Sequence, residues 1–222
     1  MERVLLLSML LAAAVPLATR AAGDEAKDRA LIDAAAAGDV GAAVRLIAEG
    51  ASVAARGERG RTALLAATHG NHVAAARALI AAGADVNAKD DIQDSAYLYA
   101  GASGHLEVLK LTLVHGADLK SVNRYGGTAL IPACERGHVE TVKTLIDAGV
   151  EVNHVNRLGW TGLLEAIILS DGGPRHVEIV RLLLDAKADP ALPDKDGVSP
   201  LVHARQRGYG EIERLLMAAG AR

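Results

Sequence analysis

Apolar residues recur along this chain at helical spacing, in short runs punctuated by glycine. Val139, Val142, Leu145 and Ile146 lie on one stripe of a helix, and Gly149 closes it. A shorter, Ala-rich run precedes it, carrying Ala133 and Cys134; similar runs hold Ala66, Ala67 and Ala204. Small side chains there predict helices that approach one another closely. Thr62, Ser95, Thr128, Thr161 and Ser199 each stand before such a run, where a hydroxyl caps a helix by accepting a free backbone N–H. Gly38, Gly104, Gly137 and Gly208 end the runs, with Asn71 in the same register; a left-handed residue is needed there. Turn glycines Gly126, Gly159 and Gly197 follow the outer helices. The pattern predicts an all-α chain of short helix pairs joined by tight, hairpin-like turns.

The units repeat. Thr62, Ser95, Thr128 and Thr161 are spaced 33 residues apart, and Ser199 follows after 38. His72, His105 and His138 keep the same interval, and His176 follows after 38. A five-residue insert must therefore lie between Thr161 and His176, visible as Ser170-Asp171-Gly172-Gly173-Pro174. About six units are expected, at 27–56, 57–89, 90–122, 123–155, 156–193 and 194–222. The first lacks the hydroxyl start, and the last has a charged outer helix with Glu211, Glu213 and Arg214, as suits a solvent-facing cap. The third departs from the pattern: Gln93 replaces the turn glycine, and Tyr97-Leu98-Tyr99 makes a bulkier helix. In the fourth, Pro132 falls in the first helical turn, where a missing N–H is expected to be tolerated.

Three signatures recur in register. Thr62-Ala63-Leu64, Thr128-Ala129-Leu130 and Ser199-Pro200-Leu201 begin units; Gly104-His105-Leu106-Glu107-Val108 and Gly137-His138-Val139-Glu140 join their helices; Ala82-Gly83-Ala84-Asp85-Val86-Asn87 and Ala148-Gly149-Val150-Glu151-Val152-Asn153 end them. Over residues 27–222 the chain resembles the ankyrin repeat. That resemblance implies a helix-turn-helix solenoid that binds protein partners through its turn tips and the exposed side of its inner helices. It also implies structural histidines, hydrogen-bonded to backbone between repeats.

The amino terminus reads differently. Arg3 precedes an apolar stretch over 4–15, broken only by Ser8, then Pro16 and small residues. Residues 1–21 have the order of a secretory signal peptide, with cleavage expected after Ala21 or, second, after Gly23. Arg20 stops the stretch short of the about 20 apolar residues of a membrane span; an uncleaved anchor is the alternative. Residues 22–26 read as a short linker. Cys134 is the only cysteine, so no intrachain disulfide can form. Export without disulfides suits a bacterial periplasm, with secretion as the second expectation.

Composition narrows the function. The net charge of -3 with mixed signs lacks the basic footprint of a nucleic-acid binder. No nucleophile elbow and no phosphate-binding glycine loop is present. Four histidines in successive stacked units, about 8–10 Å apart, cannot share one metal ion. Neither enzyme activity nor a cofactor or metal is expected, and Cys134 reads as a small buried hydrophobe. The turn tips carry Arg59, Arg61, Arg124, Tyr125, Arg157, Leu158 and Trp160, and the inner helices Tyr99, Ile168 and Leu169. Arg, Tyr and Trp dominate protein interfaces, so these ten residues are the candidate partner-binding set. Leu158, Trp160, Ile168 and Leu169 are expected to cluster, either as an interface or as packing around an inner helix lengthened by the insert. The expected protein is a monomeric scaffold or adaptor, free of the membrane after cleavage. The second expectation is an immunity-type inhibitor or accessory protein of a periplasmic toxin or enzyme, such as one defending against oxidants.

Overall fold

The computed structural model describes residues 22–222, so the signal peptide expected over 1–21 lies outside them. Among the described residues there are twelve α-helices and no strand. They form six pairs: α1 (Ala22–Ala37) with α2 (Val40–Ala48), α3 (Ala63–His69) with α4 (Val73–Ala81), and α5 (Ala96–Ser103) with α6 (Leu106–Val114). After them come α7 (Leu130–Glu135) with α8 (Val139–Asp147), α9 (Gly162–Ile168) with α10 (Pro174–Asp185), and α11 (Pro200–Arg207) with α12 (Gly210–Ala218). Odd-numbered helices pack on odd and even on even, giving an inner and an outer layer. Each pair contacts only its neighbours along the stack, as a solenoid requires. Residues 22–26 form the start of α1.

Hydroxyl caps explain where four inner helices begin. Thr62, Ser95, Thr161 and Ser199 each accept the backbone N–H three residues on, at 3.2–3.4 Å. Thr128 does not. Its hydroxyl is buried without a partner, and α7 starts later relative to its cap than its sisters do. The cause is Pro132. In the sister repeats Ala66, Tyr99, Glu165 and His203 donate their N–H to the cap residue's carbonyl. Proline has no N–H to donate, so that bond is missing in the fourth repeat. Pro132 is nevertheless accommodated within the first turn of α7, with the loss of that one bond.

Close packing needs the small residues. Ala35, Ala67, Ala100, Ala133, Ala166 and Ala204 are fully buried along the inner layer. A Cβ on Gly101 would sit 2.7 Å from that of Ala129, and one on Gly162 would sit 3.1 Å from Cys134 Sγ. Cys134 is itself fully buried, and desolvation pushes its thiol well above the ordinary range. Leu79, Leu109, Leu145, Leu183 and Leu216 extend the core under the outer layer, each worth about 2 kcal/mol of burial.

The histidines stitch one repeat to the last. Ring nitrogens of His72, His105 and His176 donate to the carbonyls of Ala36, Thr68 and Glu135 at 2.9–3.0 Å. His138 makes no such bond, but its ring lies against Gly104, where a Cβ would come within 2.6 Å of Nδ1, much as the His72 ring lies against Gly38. Gly104 thus answers two demands, a φ of +69° and this contact. The interval extends beyond the histidines to Tyr209, whose hydroxyl donates to Ser170 O at 2.6 Å. Asn71 and Gln93 both take up left-handed backbone, so the turn of the third repeat keeps its form without glycine.

The insert does not lengthen the inner helix. α9 keeps seven residues, and the extra length goes to a turn through Gly172 and an early start of α10 at Pro174. His176 therefore lies within the first turn of α10 rather than at its cap, with Nδ1 3.3 Å from the Asp171 carboxylate.

Candidate protein-binding face

Five turns project from one edge of the stack, and one kind of side chain builds four of them. Asp90, Asn123, Asn156 and Asp194 each accept two backbone N–H groups through Oδ1, from the residues two and four positions on, at 2.9–3.1 Å. The sequence reading missed these residues, although they fall at the same 33, 33 and 38 intervals as the caps. Gly57 holds that register in the first turn. Adjacent tips are tied by backbone: Asp91 N donates to Arg59 O, and Arg157 N to Tyr125 O, both at 2.9 Å.

The predicted residues separate into distinct groups. Arg124, Tyr125 and Arg157 form one patch: the Arg124 guanidinium lies 4.8 Å from the Tyr125 ring centroid and 3.6 Å from the Asp94 carboxylate. Arg157 Nη1 donates to Arg124 O at 3.0 Å. Leu158 extends this patch and is 43% exposed, while Trp160 is half-buried. Arg59 is exposed on the first tip with φ +57°, and Arg61 beside it is half-buried. Ile168 is half-buried at the far end of α9, and Leu169 beyond it is 47% exposed. The four-residue apolar cluster is therefore corrected. A regular seven-residue helix, about 10 Å long, holds Leu158 and Trp160 at one end and Ile168 and Leu169 at the other. None of the four joins the continuous core.

Two inner-face arginines are not free anchors. Arg136 donates to Ala102 O at 2.8 Å and Arg207 to Ile168 O at 3.3 Å, each reaching back one repeat. These bonds occupy some of the five donors of each guanidinium and leave the rest toward solvent.

Tyr99 belongs to another group. Its ring stacks on His69 at 3.9 Å and meets His105 edge-on at 5.9 Å. Asp194 Oδ2 accepts from His203, and Asn156 Nδ2 donates to Glu165, both 2.8 Å and both nine residues on. In the third repeat the ninth residue is Tyr99, which turns to His69 instead. Asp90 Oδ2, His69 Nε2 and Arg61 Nε are buried without partners. Burial first, then the Arg61 charge, holds the His69 pKa below its ordinary value. Burial likewise lowers His138, with help from Arg136. Glu165 is only 5% exposed, and burial together with the Glu135 charge raises its pKa to about 7.

Among the described residues no group of three or more His, Cys, Asp and Glu side chains is placed to hold a metal ion, and no helix is long and apolar enough to cross a membrane. The face presents exposed apolar side chains, charges and spare hydrogen-bond donors.

Comparison with known proteins agrees with this architecture. The profile for ankyrin repeats in three copies matches residues 7–90 and 96–194. The chain is similar to a crystallised ankyrin repeat domain from Acinetobacter baumannii AYE, with 63% identity and a TM-score of 0.84, over 86% of this chain and 98% of that one. The ankyrin repeat protein EF0377 is 39% identical with a TM-score of 0.83, over 88% of this chain and 98% of that one. A curated relative, the putative ankyrin repeat protein YahD of Escherichia coli K12, is 57% identical over 58 residues. That match spans 26% of this chain and 29% of the relative's length.

Proposed function

The chain belongs to the ankyrin-repeat family, whose repeats are generally protein–protein interaction modules, and on that premise we propose that it is an exported, non-enzymatic scaffold. It binds one partner protein along its turn tips and inner-helix face. The observation that carries this reading is the patch of Arg124, Tyr125, Arg157 and Leu158. Tyr125 is 51% exposed and carries a cation over its ring, and exposed apolar side chains grouped with arginine are typical of interface anchors. Export rests on the order of residues 1–21.

A tagged mature chain and its Tyr125→Ala/Leu158→Ala variant would be used for affinity capture from the periplasmic fraction. A protein retained by the first and lost by the second is the expected result; equal recovery by both shows that this face is not used. Trp160→Ala, on the half-buried neighbour, should weaken capture less. A chain recovered from the cytosol with residues 1–21 intact would overturn export. The inhibitor or accessory reading shares the face and differs in consequence: the captured partner, if an enzyme or toxin, would change activity when bound.

A further inference from the structure

Aligned by the repeat interval, one position on each tip is occupied by Arg59, Ile92, Tyr125, Leu158 and Asp196. The three central residues are large, apolar and exposed, at 41%, 51% and 43%. Polar residues at the first and fifth tips bound this row. The position just before each central residue holds Asp91, Arg124 and Arg157, all exposed, and Asp94 adds a second carboxylate on the tip of Ile92. The apolar row therefore runs from an acidic end at the third repeat to a basic end at the fifth. The Arg124–Asp94 pair, at 3.6 Å, marks the change of sign.

We propose, building on the protein-binding reading above, that this row seats an amphipathic α-helix of the partner, apolar at heptad spacing, acidic toward its amino end and basic toward its carboxyl end. The spacing selects a helix. Stacked helices lie about 8–10 Å apart, so equivalent tip residues repeat roughly every 10 Å. A helix returns to the same stripe after seven residues, about 10.5 Å. A strand presents one face about every 6.6 or 13 Å and falls out of step by the second tip. Three tips call for three heptad positions, about four turns of helix. The charges select the direction. Acidic residues favour helix amino ends and basic residues carboxyl ends, so the partner helix runs opposite to the repeat order. Its amino end meets Arg157 and Arg124, and its carboxyl end meets Asp91 and Asp94.

The test uses two side-chain-bridged helical peptides of about four to five turns with leucine at three successive heptad positions. In one, glutamates flank the first two leucines and lysines the last; in the other the charges are exchanged. Binding to the intact chain is followed by fluorescence anisotropy. The first peptide should bind about tenfold tighter at low salt, and the preference should shrink as salt screens the exposed charges. Arg124→Glu/Arg157→Glu should reverse the preference, and Ile92→Ser/Leu158→Ser should weaken both peptides. Equal binding of the two peptides overturns the direction; no binding of either, or binding unchanged in the Ile92/Leu158 variant, overturns the helix. Self-association of the chain that disappears in that variant would place a second copy on the row and overturn it too. A natural partner captured through Tyr125 but not displaced by the first peptide would keep the scaffold reading and reject the helix. Absence of any captured partner while the peptides bind as expected would do the reverse.

Discussion

Replacing Glu165 with glutamine should stabilise the protein above neutral pH and leave it unchanged in acid. Glu165 sits on α9 beneath the fourth tip, 5% exposed, accepting a 2.8 Å hydrogen bond from Asn156 Nδ2. Burial and the charge of Glu135 raise its pKa from an ordinary 4.5 to about 7. A folded state that holds its proton more tightly than the unfolded chain loses stability as pH rises through that window. Once both states are ionised, the penalty amounts to about 3 kcal/mol. Below the unfolded value both states are protonated, and the penalty vanishes. Glutamine keeps an oxygen for Asn156 and carries no charge. Urea unfolding of Glu165→Gln should therefore match wild type near pH 4.5 and exceed it by about 2–3 kcal/mol near pH 8.5. In a chain of this size that is a rise in Tm of roughly 4–12 °C. Glu135→Gln removes the second cause and should reduce the wild-type loss between these two pH values. Equal midpoints for wild type and Glu165→Gln at both pH values, or a glutamine variant less stable at high pH, would refute the argument.

Two further outcomes follow from the packing. Gly208→Ala meets open space, so only its φ of +72° is strained, at about 1–2 kcal/mol; Gly104→Ala adds overlap with the His138 ring and should cost distinctly more in thermal denaturation. The Cys134 thiol is fully buried and held protonated, so a thiol reagent should react with it only at the rate of unfolding; fast labelling of the native chain would contradict the inner-layer packing.

The third and fourth repeats show where reading along the chain stops short. Pro132 was legible as an oddity, but its effect depends on which carbonyl its missing N–H would have met. That carbonyl is Thr128 O, which accepts such a bond only once the helix exists. The Asp and Asn residues of the tips were present at the repeat interval all along. Their interval was a usable signal, since Asp and Asn favour turns by bonding backbone two residues on, but it shows no apolar stripe and was passed over. Tyr99 read as a partner-binding residue of its inner helix; its ring is placed by stacking on His69 of the preceding repeat. Leu158 and Leu169 looked like neighbours because eleven residues in a compact unit are close on paper; the length of α9 keeps them apart.

What the sequence determined by itself was the period, the helix pairs, the caps and the glycines. All of these follow from forces acting within a few residues: hydrogen bonds at helix ends, the strain of a left-handed backbone, and the stripe spacing of a helix. What the tertiary structure alone decided was which polar groups find partners. The same register position holds a satisfied His72, His105 and His176 but an unbonded His138. The same tip atom is paired in Asn156 and Asp194 and orphaned in Asp90. Those outcomes turn on which side chain the folded stack sets opposite each polar group, as Tyr99 turns from Asp90 to His69, and packing decides that.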